Sequence, residues 1–176
     1  MDKIRKQKYD ALLKEAGKAI IKGLGDGKWS FEISSWFNIG ICFWLKDWDT
    51  SNDDETTNFP YFVIGGLSLD YFFMNDEKNP PYVCIYAKEY RNINFDLRNF
   101  RRLLVDVGSQ ALKAFPNKRE DDDTWPIYYS LTEEERLELR RLLLEDEPGF
   151  VNALFQHADL LAKLEPAITQ ILSKQK

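Results

Sequence analysis

Histidine is nearly missing from this sequence: His157 is the only one in 176 residues. Zinc sites are built mostly from several histidines or closely spaced cysteines, so the common zinc patterns are excluded. Cysteine is almost as scarce. Cys42 and Cys84 stand far apart in apolar, strand-like runs, the setting of buried free thiols rather than of a disulfide framework. Glycine-rich phosphate loops are absent as well. Gly23, Gly25 and Gly27 precede a strand instead of opening a helix, so no helix N-terminus faces a phosphate there. No apolar run approaches the ~18 residues of a membrane-spanning helix. The charged residues 1–8 lack the apolar stretch of a secretion signal, so a cytoplasmic location is expected. Basic residues fall short of acidic ones, 24 against 29, for a net charge of -5. Such a surface repels nucleic-acid phosphates and anionic lipid, and favours basic partners.

What is present is a core. Hydrophobic residues make up 44% of the chain, with 5 Trp, 8 Tyr and 12 Phe, far more than a disordered chain carries. The length suits one domain over residues 1–176, large enough to fold without disulfides or a metal. Aromatic residues in this number also leave rings to spare as binding anchors.

Residues 3–22 read as an amphipathic helix, with Tyr9, Leu12, Leu13, Ala16, Ala19 and Ile20 on one side. Gly23, Gly25 and Gly27 are expected to end it. From Trp29 the period is two, and it persists to Leu45. One strand of that length would run ~55 Å, too long for a domain with a radius of gyration near ~16 Å. Two strands with a turn or strong bulge at 34–38 are therefore expected. A polar hairpin loop follows at 47–58, then a third strand at 59–74, interrupted by Gly65-Gly66, a turn at 75–81, and a fourth strand at 82–90.

Helical spacing returns at 94–115, where Phe100, Leu103, Leu104, Val107, Ala111, Leu112 and Phe115 form the inward stripe. Arg98, Arg101 and Arg102, with Arg91 nearby, form its solvent face. Beyond the acidic run 120–123, residues 125–129 suit a short fifth strand. Thr132 with Glu135 predicts a capping box, and Glu133–Arg136 and Glu138–Arg141 predict exposed ion pairs. Pro148 and Pro166 each suit the first turn of a further helix. The expected fold is α+β: an antiparallel sheet of four to five strands, flanked by an N-terminal helix, a central helix and C-terminal helices.

Three groups of residues carry chemistry worth weighing. In the acidic loop, Asp47, Asp49, Ser51, Asp53 and Glu55 alternate as in a calcium loop. Asn52 stands where that loop needs glycine and Asn58 where it needs glutamate, so a solvated loop without metal is expected. The element order, helix then strands then helix then strand, resembles the core of the PD-(D/E)xK nuclease superfamily. That resemblance implies a Mg²⁺-dependent nuclease, with Asp70 and Lys88 in the Asp and Lys roles and Glu32 or Glu15 as a further carboxylate. Tyr86 occupies the position two before Lys88 where the family has an acid. A parallel strand pair would favour this reading, and a plain meander would count against it. His157, beside Phe155 and Ala158 on a helix, is expected to pack rather than react.

With no intact catalytic set and no cofactor motif, the expected function is protein binding. The chain is read as a small acidic module that occupies a partner, as immunity proteins, antitoxins and inhibitors do. The expected contact surface is Asp47, Trp48, Asp49, Asp53, Asp54 and Glu55: carboxylates to steer a basic partner and a tryptophan to anchor it. The degenerate or active nuclease-like enzyme, with Glu32, Asp70 and Lys88, is the alternative.

Overall fold

The computed structural model of the protein describes residues 3–49, 60–70, 80–86, 97–115 and 127–174. The expected strand ends at 71–74 and 87–90, most of the turn at 75–81, Arg91, the acidic run 120–123 and Trp125 lie outside them, as do the side chains of Arg98 and Arg101.

α1 (Lys3–Gly25) leads into β1 (Trp29–Ser34) and β2 (Gly40–Leu45), and β2 runs into a 3-10 turn (Lys46–Trp48). β3 (Tyr61–Gly65), β4 (Tyr82–Tyr86), α2 (Leu97–Val107) and α3 (Ser109–Leu112) follow. β5 (Ile127–Ser130), α4 (Glu133–Glu145), α5 (Glu147–Ala162) and α6 (Glu165–Ser173) complete the described chain. The sheet has five strands in the order β1-β2-β3-β4-β5, every pair antiparallel. The architecture is the expected α+β meander, and the long period-two run divides where strand length said it must.

The strand register sorts side chains onto two faces. One face stacks Phe31, Phe43, Phe62, Ile85 and Ile127 in one row, and Ile33, Ile41, Ile64, Val83 and Tyr129 in the next. The helices cover this face: α1 packs on β1 and β2, α5 packs on β3 and β4, and α1 and α5 pack on each other. Phe43, Phe62, Phe100 and Phe150 are wholly buried, each stabilising the fold by about 1.5–3 kcal/mol. A Cβ on Gly17 would strike the Phe31 ring, so that glycine is what lets α1 sit down on β1.

The second face has a separate cluster of Phe37, Cys42, Val63 and Cys84, bordered by Trp44, Tyr61, Tyr82, Tyr86 and Tyr128. Cys42 and Cys84 both pair with Val63 in the register, so two strand spacings separate them. Two spacings come to about 9–10 Å, and a disulfide needs Cα atoms within about 7 Å. Both thiols are free, as expected. Burial pushes both up from the ordinary range, which keeps them protonated and unreactive.

Four expectations need correction. β3 stops at Gly65 instead of running on: Gly66 takes φ +71°, and the chain leaves the sheet there. Leu67 and Leu69 still reach the core, and the Tyr9 hydroxyl donates to the Leu67 carbonyl at 2.6 Å. α1 runs through Gly23, where a side chain would strike Phe155, and ends at Gly25 with φ +137°. The central helix breaks at Gly108, which turns Val107 out to 38% exposure. Arg136 is buried rather than exposed, with the Glu133 carboxylate 4.0 Å from its guanidinium.

The helix starts follow the sequence closely. Thr132 and Glu135 cap α4 reciprocally, the Glu135 amide donating to the Thr132 hydroxyl and the Thr132 amide to the Glu135 carboxylate. Asp146 caps α5 ahead of Pro148, and Pro166 falls in the first turn of α6. Arg141 binds Glu138 through two contacts of 2.7 and 2.8 Å, holding that carboxyl below its usual range.

Candidate functional site

The β1–β2 connection, Ser35 to Ile39, is built under strain. Asn38 and Ile39 both take positive φ, +50° and +61°. Asparagine adopts that conformation readily, but a β-branched residue does not. Holding such residues there costs on the order of 1–3 kcal/mol each, and the surroundings must supply it. They do so from both faces of the sheet. Phe37 turns under the second face, with ring centroids 6.2 Å from Tyr61 and 5.5 Å from Tyr86. Ile39 packs against the helix-side core. The main chain is pinned as well: the amides of Gly66 and Leu67 donate to the carbonyls of Phe37 and Ile39, each at 2.8 Å.

Trp36 immediately precedes Phe37, the first of these anchors, and enters neither face. It is 89% exposed, and its amide donates to the Ser34 hydroxyl at 3.3 Å. Trp29 and Trp48 are buried and Trp44 is half-buried, so among the described tryptophans Trp36 alone stands in solvent. A large rigid ring on a braced loop loses little entropy when it docks, which is why tryptophan leads the residues that dominate interfaces.

Of the acidic connection, residues 47–49 are described. Asp47 and Asp49 are exposed, as steering carboxylates must be. Trp48, the expected anchor, is 3% exposed. Its indole N–H donates to the Thr169 hydroxyl at 2.9 Å, and its ring meets Trp29 and Phe62 edge-on at 6.1 and 5.5 Å. It joins the 3-10 turn to α6 inside the core and offers nothing to a partner. Asp53, Asp54 and Glu55 lie outside the described residues.

The carboxylates of the nuclease-like alternative do not converge. Glu32 is exposed at mid-sheet on the terminal strand β1, level with Cys42 and Val63. Asp70 is exposed past the end of β3, and Glu15 is exposed on α1. Lys88 lies outside the described residues. The antiparallel meander counts against that core. Among the described residues, no group of three or more His, Cys, Asp or Glu side chains is placed to hold a metal ion.

His157 takes the packing position its surroundings predicted. Its Nδ1 lies 3.4 Å from the Tyr129 hydroxyl, which links α5 to β5. Burial lowers the histidine below its ordinary value, against the opposing pull of Glu135. Burial also raises the Tyr129 hydroxyl, with Glu135 adding to the rise, so neither group is charged near neutrality. No helix among the described residues is long and apolar enough to cross a membrane. No protein-family model, no curated protein and no solved structure matches the chain.

Sequence reasoning passed over Trp36 because it lies in the interruption between two strands, which reads as a turn. The signal was there: a Trp-Phe pair inside a connection that needs only small or polar residues.

Proposed function

We propose that this chain acts by binding another protein, in the manner of immunity proteins, antitoxins and inhibitors that work by occupying a target. The anchor is Trp36 on the β1–β2 loop. The observation that carries this reading is the pairing of strain with exposure: a braced, high-energy backbone whose product is one tryptophan held out in water. Strain of this kind is retained where a surface must keep its shape before contact.

The acidic residues have a second role in this reading. Asp47 and Asp49 lie beyond the opposite end of β2, a strand of six residues, or about 20 Å along its axis. Together with the net charge of -5 they act at long range, raising the encounter rate with a basic partner while Trp36 sets the lifetime of the complex.

The test is affinity capture from the source cell with the wild-type chain and with Trp36→Ala, followed by affinity measurement with the captured protein. The expected result is a partner retained by wild type and weakened about 30-fold or more by the substitution, the loss of one hot-spot side chain. Equal affinity for both chains would reject the loop as the anchor.

A further inference from the structure

Among the described residues β1 is the terminal strand of the sheet, and its outer edge carries a pattern that fits itself. Natural edge strands are usually blunted by lysine, proline, a bulge or short length. β5, the opposite edge, is short, at four residues. β1 has six residues, Trp-Ser-Phe-Glu-Ile-Ser, in unbroken register with β2, with no proline, lysine or bulge and one charge, Glu32.

The direction of its backbone groups follows from the register. The Lys46 amide donates to the Lys28 carbonyl, extending the β1–β2 ladder by one pair. Hydrogen-bonded pairs alternate in an antiparallel ladder, so Ser30, Glu32 and Ser34 turn their main-chain groups to β2. Trp29, Phe31 and Ile33 turn theirs outward.

We infer that this edge pairs with β1 of a second copy of the chain, antiparallel about a two-fold axis at Phe31. A two-fold axis through the edge admits only registers in which paired residues share a face. The register centred on Phe31 pairs Phe31 with Phe31 and Trp29 with Ile33, so all three outward residues find main-chain partners. It also sets aromatic against aromatic and aromatic against β-branched, the favourable cross-strand pairs. Glu32 falls opposite Ser30. The neighbouring register, centred on Glu32, leaves Trp29 unpaired and sets two like charges face to face. Charge and bonding therefore select the same arrangement. Phe31 and Ile33, only half-buried in the single chain, gain cover from it. The paired segment ends at Ile33, short of Trp36, so the dimer and the recognition loop are separate surfaces.

Sedimentation velocity over a wide concentration range tests the inference on the wild-type chain. The expected result is a reversible monomer–dimer equilibrium, with the amides of Trp29, Phe31 and Ile33 protected from hydrogen exchange only at the dimer end. Ser30→Glu places two carboxylate pairs across the axis and should weaken the dimer roughly tenfold. Adding Glu32→Lys turns each into an opposite-charge pair and should restore it. Trp36→Ala should leave the equilibrium unchanged. A monomer at every concentration, or a dimer in which those amides exchange freely, overturns the inference. So does a dimer indifferent to Ser30→Glu, or one not rescued by the charge pair.

Discussion

β2 has a tryptophan a few residues beyond each end, and the two meet opposite fates. Trp48 follows β2 in a 3-10 turn that folds back toward α6, where Thr169, Trp29 and Phe62 receive its indole. Trp36 precedes β2 in a loop that sends Phe37 to one face of the sheet and Ile39 to the other. With Phe37, the next residue, committed to the second face and Ile39 to the helix side, Trp36 stands out of the loop in solvent. The same side chain is a structural tie at one end and a displayed surface at the other. What separates them is the layer each chain turn leads to, not the hydrophobicity of the residue.

The comparison can be broken most sharply at Trp48. Trp48→Ala removes a buried ring and leaves the Thr169 hydroxyl without its donor. The expected loss is about 3–5 kcal/mol of unfolding free energy, read from urea melts. A loss below about 1 kcal/mol would mean that the ring is not the tie between the turn and α6. The support beneath the Trp36 loop ranks next. Gly66 sits at φ +71° and donates to the Phe37 carbonyl, and a Cβ there would lie 2.9 Å from the Pro81 Cα. Gly66→Ala should cost about 1–3 kcal/mol. It should also weaken partner binding, since the brace under Trp36 shifts. Lost stability with intact binding would show that the brace holds the fold alone.

How much of this was legible in the sequence follows from the range of each cause. The strands between Trp29 and Tyr86 were readable because alternation is a property of neighbours along the chain, as were the Thr132–Glu135 cap and the proline helix starts. The bend at Gly65-Gly66 was readable too, but not that β3 ends there, because Leu67 and Leu69 continue the alternation past it. Arg136 read as one arm of a surface ion pair, and its burial depends on how α4 lies against the rest of the fold. The burial of Trp48 was hidden for the same reason. Carboxylate density pointed to the loop after β2, and exposure could not be read there. Trp48 was chosen for its acidic neighbours and Trp36 was passed over for its polar ones. The tertiary contacts that reverse both choices come from Thr169 and Gly66, distant in sequence.

Acid should sharpen the contrast with a smaller effect. Burial holds the folded His157 below the ordinary histidine value of 6.5. The unfolded chain therefore takes up the proton first as pH falls. The stability tied to neutral His157 is complete above pH 6.5, declines as pH drops through the folded value, and levels off below it. His157→Gln should flatten that part of a stability–pH curve measured by thermal melts. If the slope persists in the variant, another group is responsible. Because His157 links α5 to β5, the acid response belongs to the helix side, the side that holds Trp48.

The smallest expected change in stability is the most telling. Trp36→Ala deletes as many atoms as Trp48→Ala, yet the deleted ring is 89% exposed and has no layer to collapse into. Its unfolding free energy should stay within about 0.5 kcal/mol of wild type, the range of surface substitutions. A drop of several kcal/mol would mean that the ring packs in solution, and Trp36 would then belong to the same structural class as Trp48. A chain that keeps its stability while losing its partner leaves recognition as the one role for the strained loop, since the fold gains nothing from holding that ring in water.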